Sequence, residues 1–122
     1  MKVENIKFKA KRLDNGEWII GSFVVMKIPV LSKTTIGIVA AGGATLHEID
    51  PSTVCMFTGL KDKNGTPIYE GDVILYKDDN SERRGEISWS NQISSFSFGC
   101  GLLCYFPTNC MVVVGNKFDK KK

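Results

Sequence analysis

From Val3 to Ala10 the chain alternates, with Ile6, Phe8 and Ala10 on one side and Lys7, Lys9 and Lys11 on the other. A period of two is that of a half-buried β-strand. Lysines on its wet face could attract an anion, but lysine is also the ordinary defence of an exposed strand edge, and that reading is preferred. Asp14-Asn15-Gly16 then supplies turn residues, and Glu17 to Met26 returns as a second strand, so a β-hairpin is expected. Pro29 to Lys33 interrupts the run. Thr34 to Ala40 is again β-rich, and Gly42-Gly43 offers a tight reversal into Ala44 to Ile49. Asp50-Pro51-Ser52-Thr53 places an N-cap before a proline, which predicts one short helical turn.

The middle of the chain holds two turns flanked by apolar residues, Lys63-Asn64-Gly65-Thr66 and Glu70-Gly71-Asp72. Beyond them, Val73 to Lys77 is a strand that ends at the polar loop Asp78 to Ser81. Gly85, Ile87 and Trp89 alternate with Glu86 and Ser88, and Phe96 and Phe98 with Ser95 and Ser97; Cys110 to Gly115 is a last, nearly continuous apolar strand. No segment of useful length has the helical period. The expected fold is mostly β, with hairpins packed on a C-terminal small β-barrel of the Src-homology type and at most one short helical turn. One domain over residues 1–122 is expected, softly divided into N-terminal hairpins (1–57) and the small barrel (58–119), with a basic tail at 120–122.

Composition changes this picture little. A chain of 122 residues with 43% hydrophobic and 24% charged positions is ordinary for one folded domain. The net charge of +3 comes from Lys120, Lys121 and Lys122, without which basic and acidic residues balance at 13 each. A balanced body argues mildly against a nucleic-acid surface, which needs a basic face. The start lacks a signal-peptide core and no run approaches the roughly 20 apolar residues of a membrane span. A cytoplasmic protein with reduced cysteines is therefore expected.

Thr58-Gly59-Leu60-Lys61-Asp62-Lys63-Asn64-Gly65, followed by Ile68-Tyr69-Glu70-Gly71-Asp72-Val73, resembles the signature of the YopX family. The likeness extends to Ile6-Lys7-Phe8-Lys9, to Asn15-Gly16-Glu17-Trp18, to Asp50-Pro51-Ser52-Thr53-Val54 and to the closing Val113-Val114-Gly115-Asn116-Lys117-Phe118-Asp119. Pro29 to Thr45, Cys100 to Thr108 and the lysine tail depart from the family pattern. The resemblance implies a mostly β protein encoded by phages, prophages and other mobile elements of bacteria, and it implies no particular chemistry.

The residues themselves suggest little catalysis. Cys100-x3-Cys104-x5-Cys110 lacks the paired spacing of structural zinc, and cysteine beside apolar strand residues behaves as a small hydrophobe. His47 beside Glu48 has no third member and no oxyanion element. Gly42-Gly43 lacks the spacing of a phosphate loop. Glu70, Asp72 and Glu86 could be offered as acid–base carboxylates, but acidic residues at tight turns commonly accept backbone N–H groups. Asn64, Gly65, Glu70, Gly71 and Asp72 are therefore assigned to turn structure. Tyr69, Tyr76, Trp89, Phe96 and Phe98 with Arg83 and Arg84 resemble the aromatic and basic mix that holds single-stranded nucleic acid, although core packing explains the aromatics better. Tyr76, Arg83 and Arg84 are the candidate interaction surface. The favoured function is a non-catalytic accessory protein that binds another protein or itself, with no cofactor, no metal, no membrane and no small-molecule substrate. The alternative is a nucleic-acid-binding small barrel in phage replication or regulation, and a hydrolase ranks last.

Overall fold

The alternating and β-branched runs become strands, the first of them only from Phe8 onward, and what differs most from expectation is which strands become neighbours. The computed structural model describes residues 5–40, 42–99, 101–103 and 106–119. Its strands are β1 (Phe8–Lys11), β2 (Trp18–Ile28), β3 (Lys33–Ala40), β4 (Leu46–Glu48), β5 (Cys55–Lys61), β6 (Pro67–Tyr69), β7 (Asp72–Lys77), β8 (Glu82–Ser90), β9 (Ser95–Phe98), β10 (Gly101–Leu102) and β11 (Met111–Asn116). All the strand pairings are antiparallel. Its 3₁₀ turns include Pro29–Leu31, Pro51–Thr53 and Thr108–Cys110. The middle one is the helical turn that the sequence predicts, its start held by the Asp50 carboxylate accepting the Ser52 N–H at 3.0 Å.

The chain divides into two compact units, Met1–Met56 and Phe57–Lys122. In the first, the strand order is β4-β3-β2-β1, and the start of β5 continues it through the pairs Phe8↔Met56 and Lys9↔Cys55. Its core is Ala10, Ile38 and Ile49, against which Phe8, Ile19, Ile36 and Val54 pack. β1 therefore has a partner on each side. This corrects the edge-guard reading of its lysines: Lys9 and Lys11 lie over the Trp18 ring, at 4.6 and 5.3 Å from its centroid.

In the second unit, β5 and β6 form a hairpin, and five strands follow in the order β10-β9-β8-β7-β11. The sheet is open, so the expected barrel is not closed. β11 ends one side of the order and β10, a strand of two residues, ends the other. Ile68, Ile74, Tyr76, Ile87, Phe98, Leu103 and Met111 make the core, with Leu60, Phe96, Phe106, Cys110 and Val113 packed on it. Phe98 and Phe106 meet edge to face at 5.0 Å between ring centroids.

Candidate functional site

The two turns of the central block are built by carboxylates. Asp62 opens the loop between β5 and β6. One of its oxygens accepts the N–H groups of Asn64 and Thr66 at 2.8 and 2.9 Å, and the other reaches the N–H of Val113 on β11 at 3.0 Å. The Lys63 N–H also donates to the Met111 carbonyl at 3.1 Å. The loop thereby occupies hydrogen-bonding groups on the outer edge of β11, where a free strand would invite pairing with another chain.

The second turn is organised by Asp72, whose side chain is 1% exposed. Its carboxylate accepts the Tyr69 N–H at 2.8 Å and the Asn116 side-chain amide at 2.9 Å. The Asn116 carbonyl oxygen in turn accepts the Phe118 N–H, while the Asn116 N–H donates to Asp119. Between Glu70 and Asp72, Gly71 has φ of +86°. It donates to the Ile87 carbonyl at 2.7 Å and accepts from the Lys117 N–H at 2.9 Å, so the turn ties β8 to the end of β11. A Cβ at Gly71 would sit 3.3 Å from the Asn116 side-chain nitrogen, in a backbone conformation that side chains disfavour. Asn116 is the member of this cluster that the turn chemistry misses, because its partner lies 44 positions away.

Electrostatics follow from these contacts. Burial opposes the charged form of Asp62, but the N–H groups of Val113, Thr66 and Asn64 outweigh it and hold the carboxyl below its ordinary value. A folded pKa below the unfolded one stabilises the fold fully above the unfolded value, near 4, and that contribution fades as pH falls toward the lowered folded value. Asp62→Asn is accordingly expected to flatten the acid limb of a stability-against-pH profile below about pH 4. Urea titrations at stepped pH check this, and an unchanged acid limb would refute it. The Tyr69 hydroxyl is pushed up to about 12, first by burial and then by the nearby Asp72 charge. Tyr69 packs on Phe57 at 5.4 Å between ring centroids.

The expected interaction surface is reorganised. Tyr76 belongs to the core at 6% exposure, with Phe106 edge-on at 5.3 Å, which removes it from the surface. Burial, followed by the neighbouring Asp78 carboxylate, raises its hydroxyl pKa. Arg83 and Arg84 are both exposed on β8, opposite Tyr76 and Leu75. Adjacent strand residues face opposite ways, yet both arginines line one open groove. Arg83 shares its side with buried Ile87 and lies 5.9 Å over the Phe106 ring, while Arg84 shares the other side with Glu82 and Glu86. That groove, of about 300 Å³, is lined by Arg83 and Arg84 together with Gly85, Phe98 and Gly99. Trp89, expected in the core, is exposed against Phe96 and donates to the Asn91 side chain at 3.0 Å.

His47 sits on β4 opposite Ile38, in the first unit. Glu70 lies in the turn before β7, and Glu86 stands opposite Val73 on β8. Asp72, the buried carboxylate of that trio, is engaged by the Tyr69 and Asn116 nitrogens. Cys110 ends the 3₁₀ turn before β11 and packs against the core, while Cys100, Cys104 and the Lys120 to Lys122 tail lie outside the described residues. Among the described residues, no helix is long and apolar enough to cross a membrane.

A feature that the motifs do not flag is the length of the β2–β3 hairpin. Its register runs unbroken from Gly21↔Ala40 to Ile28↔Lys33, and its turn exposes Val30 and Leu31. Runs of apolar strand residues look alike in sequence whether a sheet covers them or not.

The chain was also compared with known proteins. A family model described as YopX protein matches residues 3–120, nearly its whole length. A search of curated proteins found no match.

Proposed function

The chain belongs to the YopX family, and from that premise we propose that it is a non-catalytic accessory factor of a bacterial virus or other mobile element. It acts in the host cytoplasm by binding another macromolecule, copies of itself included. The observation that carries this reading is a division of labour among side chains. The buried carboxylates of the family signature hold backbone and amide groups of their own unit, while Phe23, Val25, Met26, Val30 and Leu31 lie exposed on one hairpin. Contiguous exposed apolar residues mark interaction surfaces more often than reaction sites.

Sedimentation velocity of the full chain over about a hundredfold range of concentration tests the self-association part. The expected result is a sedimentation coefficient that rises with concentration, and a strict monomer throughout would overturn it. Nucleic acid supplies the contrasting outcome. Salt-sensitive binding to single or double strands, weakened by Arg83→Ala and Arg84→Ala, would reassign the protein to nucleic-acid work. With Arg84 set between Glu82 and Glu86, no such binding is expected.

A further inference from the structure

Strand β8 is longer than the strand beside it. β9 pairs with it only from Ile87↔Phe98 to Ser90↔Ser95, and Gly99, with φ of +60°, then takes the chain toward β10. Residues 82–86 of β8 therefore have β7 on one side and no described strand on the other. Two backbone bonds fix which groups face the open side. The Ile87 carbonyl accepts the Gly71 N–H at 2.7 Å and the Ser81 carbonyl accepts the Asp78 N–H at 3.0 Å, so the odd-numbered residues of β8 point their N–H and C=O groups toward β7. Those of Glu82 and Arg84 point away from it, and no described residue takes them.

The corner where β9 leaves β8 is the open groove of about 300 Å³. Its described walls are Arg83, Arg84, Gly85, Phe98 and Gly99, so the charges on them are both positive. Glu82 and Glu86 share a face with Arg84 but do not line it. Among the described residues neither guanidinium has a carboxylate partner. The Phe98 ring covers Gly85, where a Cβ would lie 2.7 Å from it. This length of β8 thus presents bare backbone beside an apolar ring, flanked by two cations.

We propose that this slot takes an extended segment of a partner protein as an added antiparallel strand, with an apolar residue opposite Gly85 followed by acidic residues opposite Arg84 and Arg83. The proposal rests on the macromolecule-binding reading and gives it a partner class and a second surface. Open N–H and C=O groups on one residue select a peptide backbone, which returns both hydrogen bonds. Two guanidiniums select carboxylates. The order of side chains follows from direction, because a strand that continues β9 along β8 meets Gly85 first, then Arg84, then Arg83. A second copy of this edge fits badly: antiparallel pairing sets Arg84 on Arg84 with Glu82 on Glu86, or else Arg83 on Arg83. A single DNA strand meets the arginines but carries no backbone donor for the Glu82 and Arg84 carbonyls.

The test is fluorescence anisotropy of the full chain with a labelled peptide, Thr-Val-Glu-Glu-Lys, whose Val and two Glu are placed for Gly85, Arg84 and Arg83. Binding is expected, and Arg84→Ala is expected to weaken it at least about fivefold at an unchanged melting temperature. Two further peptides, measured on the wild type, separate strand addition from plain charge attraction. N-methylation of the first Glu removes the N–H that the Arg84 carbonyl accepts and should weaken binding at least about tenfold. N-methylation of the second Glu, whose N–H points away from β8, should change it less than about twofold. Equal losses from the two methyl groups, or no peptide binding at all, overturn the slot. Sedimentation then separates the two readings: a self-associating chain leaves the wider one standing, and a strict monomer overturns its self-association part as well. Oligo(dT) that binds in an Arg84-dependent way where the peptide does not gives the groove to nucleic acid instead.

Discussion

Gly21→Ala is expected to cost at least about 3 kcal/mol and to lower the melting temperature by roughly 10 °C. Gly21 is the root of the long hairpin, paired with Phe8 on β1 and Ala40 on β3. A Cβ there would lie 2.1 Å from the Val39 carbonyl oxygen and 2.9 Å from the Ala40 Cα. Both neighbours are backbone, so no rotamer change relieves the overlap and the strands must move apart. A strand glycine often marks such a close approach of two chains. Thermal unfolding by circular dichroism measures the effect, and a variant that melts within a degree or two of the wild type would show that β2 and β3 do not meet this tightly.

Asp72→Ala is the second large effect, expected near 3 kcal/mol from two buried donors left without an acceptor. The donors are the Tyr69 N–H and the Asn116 amide, which the carboxylate takes at 2.8 and 2.9 Å. Asp72→Asn should recover only part of the loss, because its amide nitrogen must face one of those two donors. Asn116→Ala separates the pair from the rest of the cluster. If the two side chains act as one unit, the double variant loses clearly less than the sum of the singles, by about 1 kcal/mol or more. Denaturant unfolding of the four proteins decides it, and strict additivity would dissolve the cluster as a unit.

Much of the fold was legible because its causes are local. The alternation of Ile87 and Trp89 with Glu86 and Ser88, the Asp14-Asn15-Gly16 reversal and the Asp50-Pro51 turn each reflect neighbours a few positions apart. The candidate site was less legible. Tyr76 reads as an amphipathic strand residue, and only its place between Phe98 and Phe106 makes it core. Arg83-Arg84 reads as a plain basic pair, and only the fold sets Arg83 over the Phe106 ring and Arg84 beside Glu82 and Glu86. Lys9 and Lys11 look like edge guards until β5 pairs along β1.

The sequence by itself determined an all-β chain of the YopX family, the positions of its turns, and a central block whose Asn64, Gly65, Gly71 and Asp72 serve backbone geometry. Only the tertiary structure decided that Asp62 covers the edge of β11 from 51 positions away, that the expected barrel stays open, and that the outer β2–β3 hairpin is left uncovered. The physical reason is one of range. Turn chemistry and strand period act between residues a few bonds apart, whereas edge cover and burial depend on which distant segment arrives, a choice made by the packing of the whole unit.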